Sequence, residues 1–317
     1  MRERLAGLTR GNTDLLALTA LLLVLLIAYQ HYDSSLLTPA SVTILSAQFL
    51  PLLLAAAGQT TVMLLGGIDL SLGAVLGLAM AVFATYDAHS AGAVLVAALL
   101  AVCAAVAAGA VNGALVAYAG LPPIVVTLAA SFLWGGITLV VLPQPGGTVP
   151  GGLVNAYNNG WNGVAVPAVA VVVVLLLWKL LRTTRHGLAL YAVGGNEHGA
   201  YASGLHTRSV KISGYALAGA FTGLAGIGLA IQTGSADPTI GTPYTLNSIA
   251  ASVLGGISFF GGVGRMRGTV LGALVIGLLT NLLLFTGISP FYQLILQGVI
   301  LVVALTLKTY LTREAAV

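Results

Sequence analysis

The chain has 317 residues, of which 58% are hydrophobic and only 6% are Asp, Glu, Lys or Arg. Because an average soluble domain carries roughly 25% charged residues, this composition excludes a water-soluble globular protein and indicates a surface that faces lipid. The net charge is +4, and the single cysteine, Cys103, excludes both a disulfide within the chain and a cysteine-based metal cluster.

Ten apolar segments predict transmembrane helices, since a span requires about 20 mostly apolar residues. In chain order they are 15–30, 41–65, 70–86, 91–118, 123–142, 164–181, 212–232, 245–262, 268–286 and 291–308. The first ends without the small residues of a cleavage site, so we expect it to be retained as a span. The segment 245–262 is the weakest because Gly and Ser interrupt it. We therefore predict one all-α transmembrane domain over residues 1–317, with some broken or re-entrant segments and a short cytoplasmic N-terminus at 1–14.

The cations predict the orientation of these spans, because cytoplasmic loops of membrane proteins carry an excess of Lys and Arg. With the N-terminus in the cytoplasm, ten spans place all 12 Lys and Arg residues on the cytoplasmic side. The outward loops carry Asp33, Asp87 and Asp237 but no Lys or Arg. Both termini are therefore predicted to be cytoplasmic.

Glycines are frequent, and four Gly-xxx-Gly pairs are suited to close packing, because small residues let helices approach each other in a bilayer. In a chain with 41 glycines, such pairs also arise by chance. The pairs are Gly73/Gly77, Gly109/Gly113, Gly219/Gly223 and Gly268/Gly272.

Two connecting segments stand out by their length. The outward segment 143–163 is rich in Pro and Gly, and we predict that it is irregular or partly re-entrant. The inward segment 182–211 is the longest polar stretch of the chain. Within it, Asn196 is suited to cap a short helix from Glu197 that ends before Gly204. This exposed helix is either a docking element for a cytoplasmic partner or a plain connector.

The motif Gly66-Gly67-Ile68-Asp69-Leu70-Ser71-Leu72-Gly73 interrupts one helix and begins another. Asp69 or Ser71 can cap the second helix by accepting from its free backbone N–H groups. Broken helices occur in membranes where they contact protein or a water-filled path. The motif is therefore either a simple cap or part of the translocation path.

Other polar residues interrupt otherwise apolar segments. Asn112 requires a hydrogen-bond partner, which is either a neighbouring helix or a solute. Asn247, Ser248, Ser252 and Ser258 recur at near-helical spacing. They either line an aqueous path for a hydroxyl-rich solute or bond to neighbouring helices.

The motifs of common enzymes are absent from the sequence. None of the three lysines follows a glycine, so there is no phosphate-binding Gly-x-x-x-x-Gly-Lys-Ser/Thr loop. There is also no His-Glu-x-x-His and no Gly-x-Ser-x-Gly. Asp69 is almost the only ionisable residue within a span, whereas ion-coupled carriers usually place such residues in the membrane. We therefore expect a protein that has no catalytic residue, metal or cofactor. Its activity should depend on an external source of energy.

Taken together, the motifs resemble the permease subunits of ATP-binding-cassette sugar importers of the ribose permease type. The similarity runs through nearly the whole chain. The matching segments are Gly-Gly-Ile-Asp-Leu-Ser at 66–71, Asn-Gly at 112–113, Leu-Pro-Pro at 121–123, Thr-Leu at 127–128, Tyr-Ala-Val-Gly-Gly-Asn-Glu at 191–197, Ser-Gly-Leu at 203–205, Ile-Ala-Ala at 249–251, Leu-Gly-Gly-Ile-Ser at 254–258, Gly-Gly-Val-Gly-Arg at 261–265 and Gly-Thr at 268–269.

The resemblance implies a permease in the bacterial cytoplasmic (inner) membrane that imports a monosaccharide, either a ribose-like pentose or a hexose. It implies three protein partners, namely a cytoplasmic ATPase, an extracytoplasmic sugar-binding protein and a second permease copy, identical or different. Membrane lipid is expected at its surface, and no nucleic-acid partner is expected.

The resemblance also suggests site residues. The segment 182–211 would hold a coupling helix that fits a groove in the ATPase, with the residues Gly194, Gly195, Asn196, Glu197, Ser203 and Gly204. Our hypothesis for the translocation path comprises Asp69, Ser71, Asn112, Asn247 and Ser248.

The sequence departs from the family pattern in one place. The family commonly has Glu-Leu-Asp just before Ile-Ala-Ala, whereas this chain has Thr245-Leu246-Asn247. The neutral residues indicate either a different solute or a changed gate, and no charge can be assigned here by resemblance.

Other functions remain open. Related permeases for branched-chain amino acids usually carry an Asn-Phe-type segment where this chain has Ile68-Asp69-Leu70-Ser71, which favours a sugar. The alternatives are a permease for another small polar solute such as an amino acid or nucleoside, an ion-coupled secondary carrier, or a structural protein without transport activity.

Overall fold

The computed structural model describes residues 2–32, 36, 38–86 and 89–285, together with six positions between 292 and 306. The regular elements of the described residues are twelve α-helices, which confirms the predicted all-α class. They are α1 (Arg2–Tyr32), α2 (Pro39–Leu64), α3 (Leu72–Thr85), α4 (Ala91–Tyr118), α5 (Pro123–Val141), α6 (Gly151–Asn159), α7 (Val166–Thr183), α8 (Arg185–Gly195), α9 (Glu197–Ala202), α10 (Thr207–Thr233), α11 (Thr242–Leu254) and α12 (Met266–Phe285).

Seven helices of the described part are long and apolar enough to cross a membrane, and they match seven of the predicted spans: α1, α2, α4, α5, α7, α10 and α12. The predicted spans 70–86 and 245–262 instead contain the shorter helices α3, with 14 residues, and α11, with 13 residues. At 1.5 Å per residue, such helices are about 20 Å long, less than the ~30 Å hydrocarbon core. The segment 291–308 lies outside the described residues except for those six positions.

The prediction of a helix throughout 245–262 was wrong in its second half. Helix α11 ends at Leu254, and Gly256 follows with a φ of +88°, a conformation that residues with a Cβ resist. The Gly256 amide donates to the carbonyl of Val253 at 3.0 Å. The same glycines that interrupt the apolar run therefore end the helix, and a loop leads to α12.

Helix α2 lies at the centre of the bundle, and every residue from Phe49 to Leu64 is buried. Helix α10 packs along α2, α3 and α4, while α11 and α12 pack on α2 from another side. Large apolar side chains on α1, α4, α5 and α7 remain exposed. In a membrane protein these exposed surfaces face lipid or another membrane subunit.

All four predicted Gly-xxx-Gly pairs lie at close contacts, so their packing role is confirmed. A Cβ on Gly109 would collide with the carbonyl oxygen of Tyr215, and one on Gly219 with that of Ala105. The contact between α4 and α10 therefore depends on small residues from both helices. The pair Gly268/Gly272 packs α12 against α11, and Gly73/Gly77 packs α3 against the segment before α11.

The two long connections are more regular than predicted. Part of 143–163 forms α6, whose Tyr157 is buried and donates its hydroxyl hydrogen to the carbonyl of Ala47 in α2 at 3.1 Å. The segment 182–211 contains α9, as predicted, and also α8, which was not predicted. Helix α8 has four buried residues, so this part of the polar stretch packs against the bundle.

Candidate functional site: a buried polar network and a short capped helix

Asp69 lies in the short loop between α2 and α3, and only 5% of it is exposed. Its Oδ1 accepts from the backbone N–H of Ser71 at 2.8 Å and from the Ser71 hydroxyl at 2.6 Å. This is an Asx turn, in which an aspartate bonds to the backbone two residues later. The carboxylate therefore organises the chain immediately before α3.

The network continues from Ser71 into two further helices. The Ser71 hydroxyl oxygen accepts from Nδ2 of Asn112 in α4 at 2.8 Å. The Oδ1 of Asn112 accepts from Nε1 of Trp134 in α5 at 3.2 Å. The structure therefore brings together three predicted site residues, Asp69, Ser71 and Asn112, and joins them to Trp134.

Two residues that the sequence analysis missed hold the same loop. With its amide oriented to satisfy both groups, Gln59 of α2 donates to the Asp69 carbonyl at 3.1 Å and accepts from the Asp69 amide at 3.2 Å. The Thr127 hydroxyl oxygen accepts from the Leu70 amide at 3.0 Å. A glutamine inside an apolar span was a usable signal, because a buried amide requires partners.

The remaining predicted path residues lie on α11. Ser248 and Ser252 are both fully buried. Ser252 lies 3.1 Å from the hydroxyl of Thr60, which is also 2.8 Å from that of Thr269, so these hydroxyls join α2, α11 and α12. Ser248 donates to the carbonyl of Thr245 at 2.9 Å.

The four polar residues predicted at helical spacing do not form one continuous stripe along α11. Asn247 is half-buried and lies next to the exposed Leu246, while Ser258 lies beyond the end of the helix. The hydroxyl oxygen of Thr245 accepts from the Gly73 amide at 3.0 Å. The first turn of α11 therefore meets the beginning of α3, close to the Asp69 network.

Three Gly-Gly pairs come together near this network: Gly66-Gly67, Gly194-Gly195 and Gly261-Gly262. We call the place where they meet the glycine junction. A Cβ on Gly261 would lie 2.6 Å from the Gly194 carbonyl oxygen and 2.7 Å from the Gly66 nitrogen, and one on Gly262 would lie 2.5 Å from the Gly195 Cα. Only residues without a side chain permit this approach. The end of α8 therefore contacts both inter-helix loops directly.

Tyr191 adds a polar contact beside the glycine junction. Its hydroxyl donates to the carbonyl of Gly264 at 3.3 Å. Burial raises the pKa of the Tyr191 phenol, and the nearby Arg182 and Arg265 act in the opposite direction. The phenol therefore stays protonated and able to donate at neutral pH.

The capped helix predicted at 197–203 is confirmed as α9. The Oδ1 of Asn196 accepts from the Gly199 amide at 2.8 Å, and Gly204 follows the helix with a φ of +85°. Ser203 donates to the Gly199 carbonyl at 2.8 Å. Glu197 pairs with Lys211 of α10 at 2.7 Å. Helix α9 is thus short and mostly exposed, and an ion pair attaches its first residue to α10.

The side chains that could ligate a metal are not clustered in the described part of the chain. Among those residues, no group of three or more His, Cys, Asp or Glu side chains lies close enough to hold an ion. The network itself consists of neutral polar groups around one carboxylate, Asp69.

Comparison with known proteins gives extensive matches. The family model described as "Branched-chain amino acid transport system / permease component" matches residues 41–305. The chain is 39% identical over 292 residues to the ribose import permease protein RbsC of Bacillus subtilis, covering 90% of each chain. It is 41% identical over 258 residues to the RbsC protein of Escherichia coli K12, covering 78% of this chain and 79% of that one.

A third relative is named for a different sugar, D-allose. The D-allose transport system permease protein AlsC of Escherichia coli K12 is 33% identical over 281 residues, covering 87% of this chain and 86% of its own. No solved structure matches the chain. The predicted resemblance to sugar permeases is confirmed, as is the predicted multi-pass location in the cytoplasmic membrane.

Proposed function

Because this chain belongs to the branched-chain amino acid transport permease family, we propose that it is the membrane-spanning subunit of an importer that carries a monosaccharide. The observation that carries the proposal is its 39% identity to a ribose import permease along 90% of both chains. Its relatives also include permeases named for allose and galactose. The solute is therefore a pentose or hexose.

The proposed importer has further subunits. A separate cytoplasmic ATPase supplies the energy, an extracytoplasmic protein delivers the sugar, and a second permease copy, identical or different, completes the membrane part. The absence of a phosphate-binding lysine loop in the sequence supports an external ATPase.

The proposed topology has ten crossings with both termini in the cytoplasm. Helices α3 and α11 each account for one short crossing, and the segment 291–308 provides the last. The placement of all 12 Lys and Arg residues on one side supports this arrangement.

The proposed translocation path passes the point where α3 and α11 begin. Short helices that begin within a membrane present free backbone groups, which are common at transporter binding sites. The bond between Gly73 and Thr245 brings the two helix starts together. Asp69, Ser71 and Asn112 provide acceptors and donors beside them, and Asn247 and Ser248 belong to the second helix.

The proposed coupling element is α9. Its exposed surface receives the ATPase, and α8 transmits a displacement inward, since Gly194 contacts the Leu64 carbonyl at the end of α2. Leu64 immediately precedes the loop that holds Asp69. ATP-driven movement of α9 therefore reaches the polar network through packed backbone, provided that the two states differ in these contacts.

The test is reconstitution of the chain in vesicles with the ATPase and binding protein, using labelled ribose, allose and galactose. We expect accumulation of one of these sugars that requires ATP and stops when the ATPase is omitted. Accumulation by the chain alone in a proton or sodium gradient would instead identify a secondary carrier. An amino acid or nucleoside as the transported solute would overturn the sugar assignment.

A further inference from the structure

A cleft opens beside α9, and the proposed path does not use it. Its volume is about 910 Å³. One wall is formed by the end of α4 and the beginning of α5, at 116–118 and 120–123, and the other by α9 and the first turn of α10. Gly66, Gly67 and Tyr215 also line it.

The charge of the cleft is predominantly positive. Lys211 and Arg208 line it together with two histidines, whereas Glu197 is its single acidic residue. Lys211 already pairs with Glu197 at 2.7 Å. Arg208 lies over the ring of Tyr118 at 5.4 Å from its centroid and forms no ion pair with any residue that the structure describes. One cation is therefore available for an anion.

The first turn of α10 provides further donors in the cleft. Helix α10 begins there, and its N-cap residue, His206, makes no side-chain bond to the first turn, which leaves N–H groups and a partial positive charge. Tyr215 is only 1% exposed, and its buried hydroxyl has no partner among the described residues. That hydroxyl lies against Gly67 and is closed off from the cleft, so the donors open to a ligand are those of α10 and the Arg208 guanidinium.

An apolar surface continues from the cleft along α5. Leu121 is 46% exposed, Ile124 49% and Val125 56%. Cytoplasmic clefts that combine basic groups with adjacent apolar helices suit anionic lipids, whose head group pairs with the cations while the acyl chains cover the helices. A free phosphate would use the charged cleft but leave the apolar surface uncovered.

We propose that this cleft binds the phosphate-bearing head group of an anionic phospholipid. Arg208 pairs with the phosphate, and the first turn of α10 donates to it. The acyl chains lie along Leu121, Ile124 and Val125. The lipid thereby joins the α4–α5 connection to the α9–α10 segment.

The test measures lipid binding by the purified full chain with native mass spectrometry, using phosphatidylglycerol and phosphatidylcholine. We expect preferential binding of phosphatidylglycerol, weakened about fivefold by Arg208→Gln, as for one basic group near an anionic surface. Arg267→Gln, a change to an exposed cation outside the cleft, should leave this binding unchanged.

Three results would overturn the proposal. Equal losses in Arg208→Gln and Arg267→Gln would indicate general surface charge. Inorganic phosphate that binds alone and displaces phosphatidylglycerol at millimolar concentration would identify a free-phosphate site. Equal binding of both lipids by the wild-type chain would exclude head-group recognition, and none of these outcomes depends on the transported sugar.

Discussion

The backbone amide of Gly262 donates a hydrogen bond to the carbonyl oxygen of Leu64 at 2.9 Å, and this bond attaches the loop before α12 to the last turn of α2. Gly194, in the last turn of α8, contacts the same carbonyl. One peptide group thus connects the segment proposed to receive the ATPase, the loop that carries Asp69 and the loop that follows α11.

Gly194→Ala should disrupt the glycine junction, because its Cβ would collide with the Leu64 carbonyl oxygen. Overpacking of this kind destabilises a protein by about 1–3 kcal/mol, and we expect a lower Tm and impaired sugar uptake. Gly136→Ala is the matched control, since no atom lies within 4 Å of the Cβ position on that glycine. Uptake at the wild-type rate in Gly194→Ala would contradict transmission through the junction.

Asp69→Asn should impair transport more than Ser90→Ala does. Asparagine can still accept from Ser71, so this change removes the charge but keeps an acceptor. Ser90 caps α4 by accepting from the Ala93 amide at 3.2 Å, and its loss costs about 1 kcal/mol of stability. The measurement is uptake normalised to the amount of inserted protein. Equal effects of the two changes would favour a purely structural role for Asp69 in the turn before α3.

Gln59→Leu should detach the loop at Asp69 from α2. The change leaves the amide and carbonyl of Asp69 without their partners, and an unsatisfied buried group costs about 1–3 kcal/mol. Thermal unfolding in detergent measures the loss, and uptake should fall with it. The control is Thr61→Val, since Thr61 is equally buried but bonds within its own helix, to the Ala57 carbonyl. A similar Tm for both variants would show that the Gln59 hydrogen bonds do not stabilise the loop at Asp69.

Glu197→Gln should uncouple ATP hydrolysis from transport while leaving the protein inserted. Glu197 pairs with Lys211 on a partly exposed surface, where such a pair contributes only about 0–1 kcal/mol to stability. A large functional effect would therefore reflect docking rather than folding. The measurement is the ratio of ATP hydrolysed to sugar accumulated, and an unchanged ratio would count against a docking role for α9.

Two substitutions of Gly204 that differ in backbone strain can be compared by the same ratio of ATP hydrolysed to sugar accumulated. Its φ of +85° disfavours alanine, whereas asparagine tolerates this region better than other residues with a side chain. No atom lies within 4 Å of its Cβ position, so only backbone strain distinguishes the variants. We expect Gly204→Ala to weaken coupling more than Gly204→Asn. The reverse order would show that the backbone conformation at this residue is unimportant.

The features that sequence predicted well are those that depend on neighbouring residues. Apolar length identified seven of the described helices as spans, because the bilayer imposes its thickness on any segment that crosses it. The cap at Asn196 was predictable because a cap and its recipient lie within one helical turn. The Gly-xxx-Gly pairs were predictable for a similar reason, since their spacing places both glycines on one helix face.

Only the tertiary structure decided which distant residues meet. The bond between Gln59 and the backbone of Asp69, the convergence of three Gly-Gly pairs, and the bond between Thr245 and Gly73 each join segments from different helices. The burial of the polar residues on α11 was also decided by tertiary packing. Ser248 and Ser252 are buried, whereas Asn247 is not. Local periodicity indicates that a polar residue interrupts a span, whereas the neighbour that satisfies it is selected by the packing of the whole bundle.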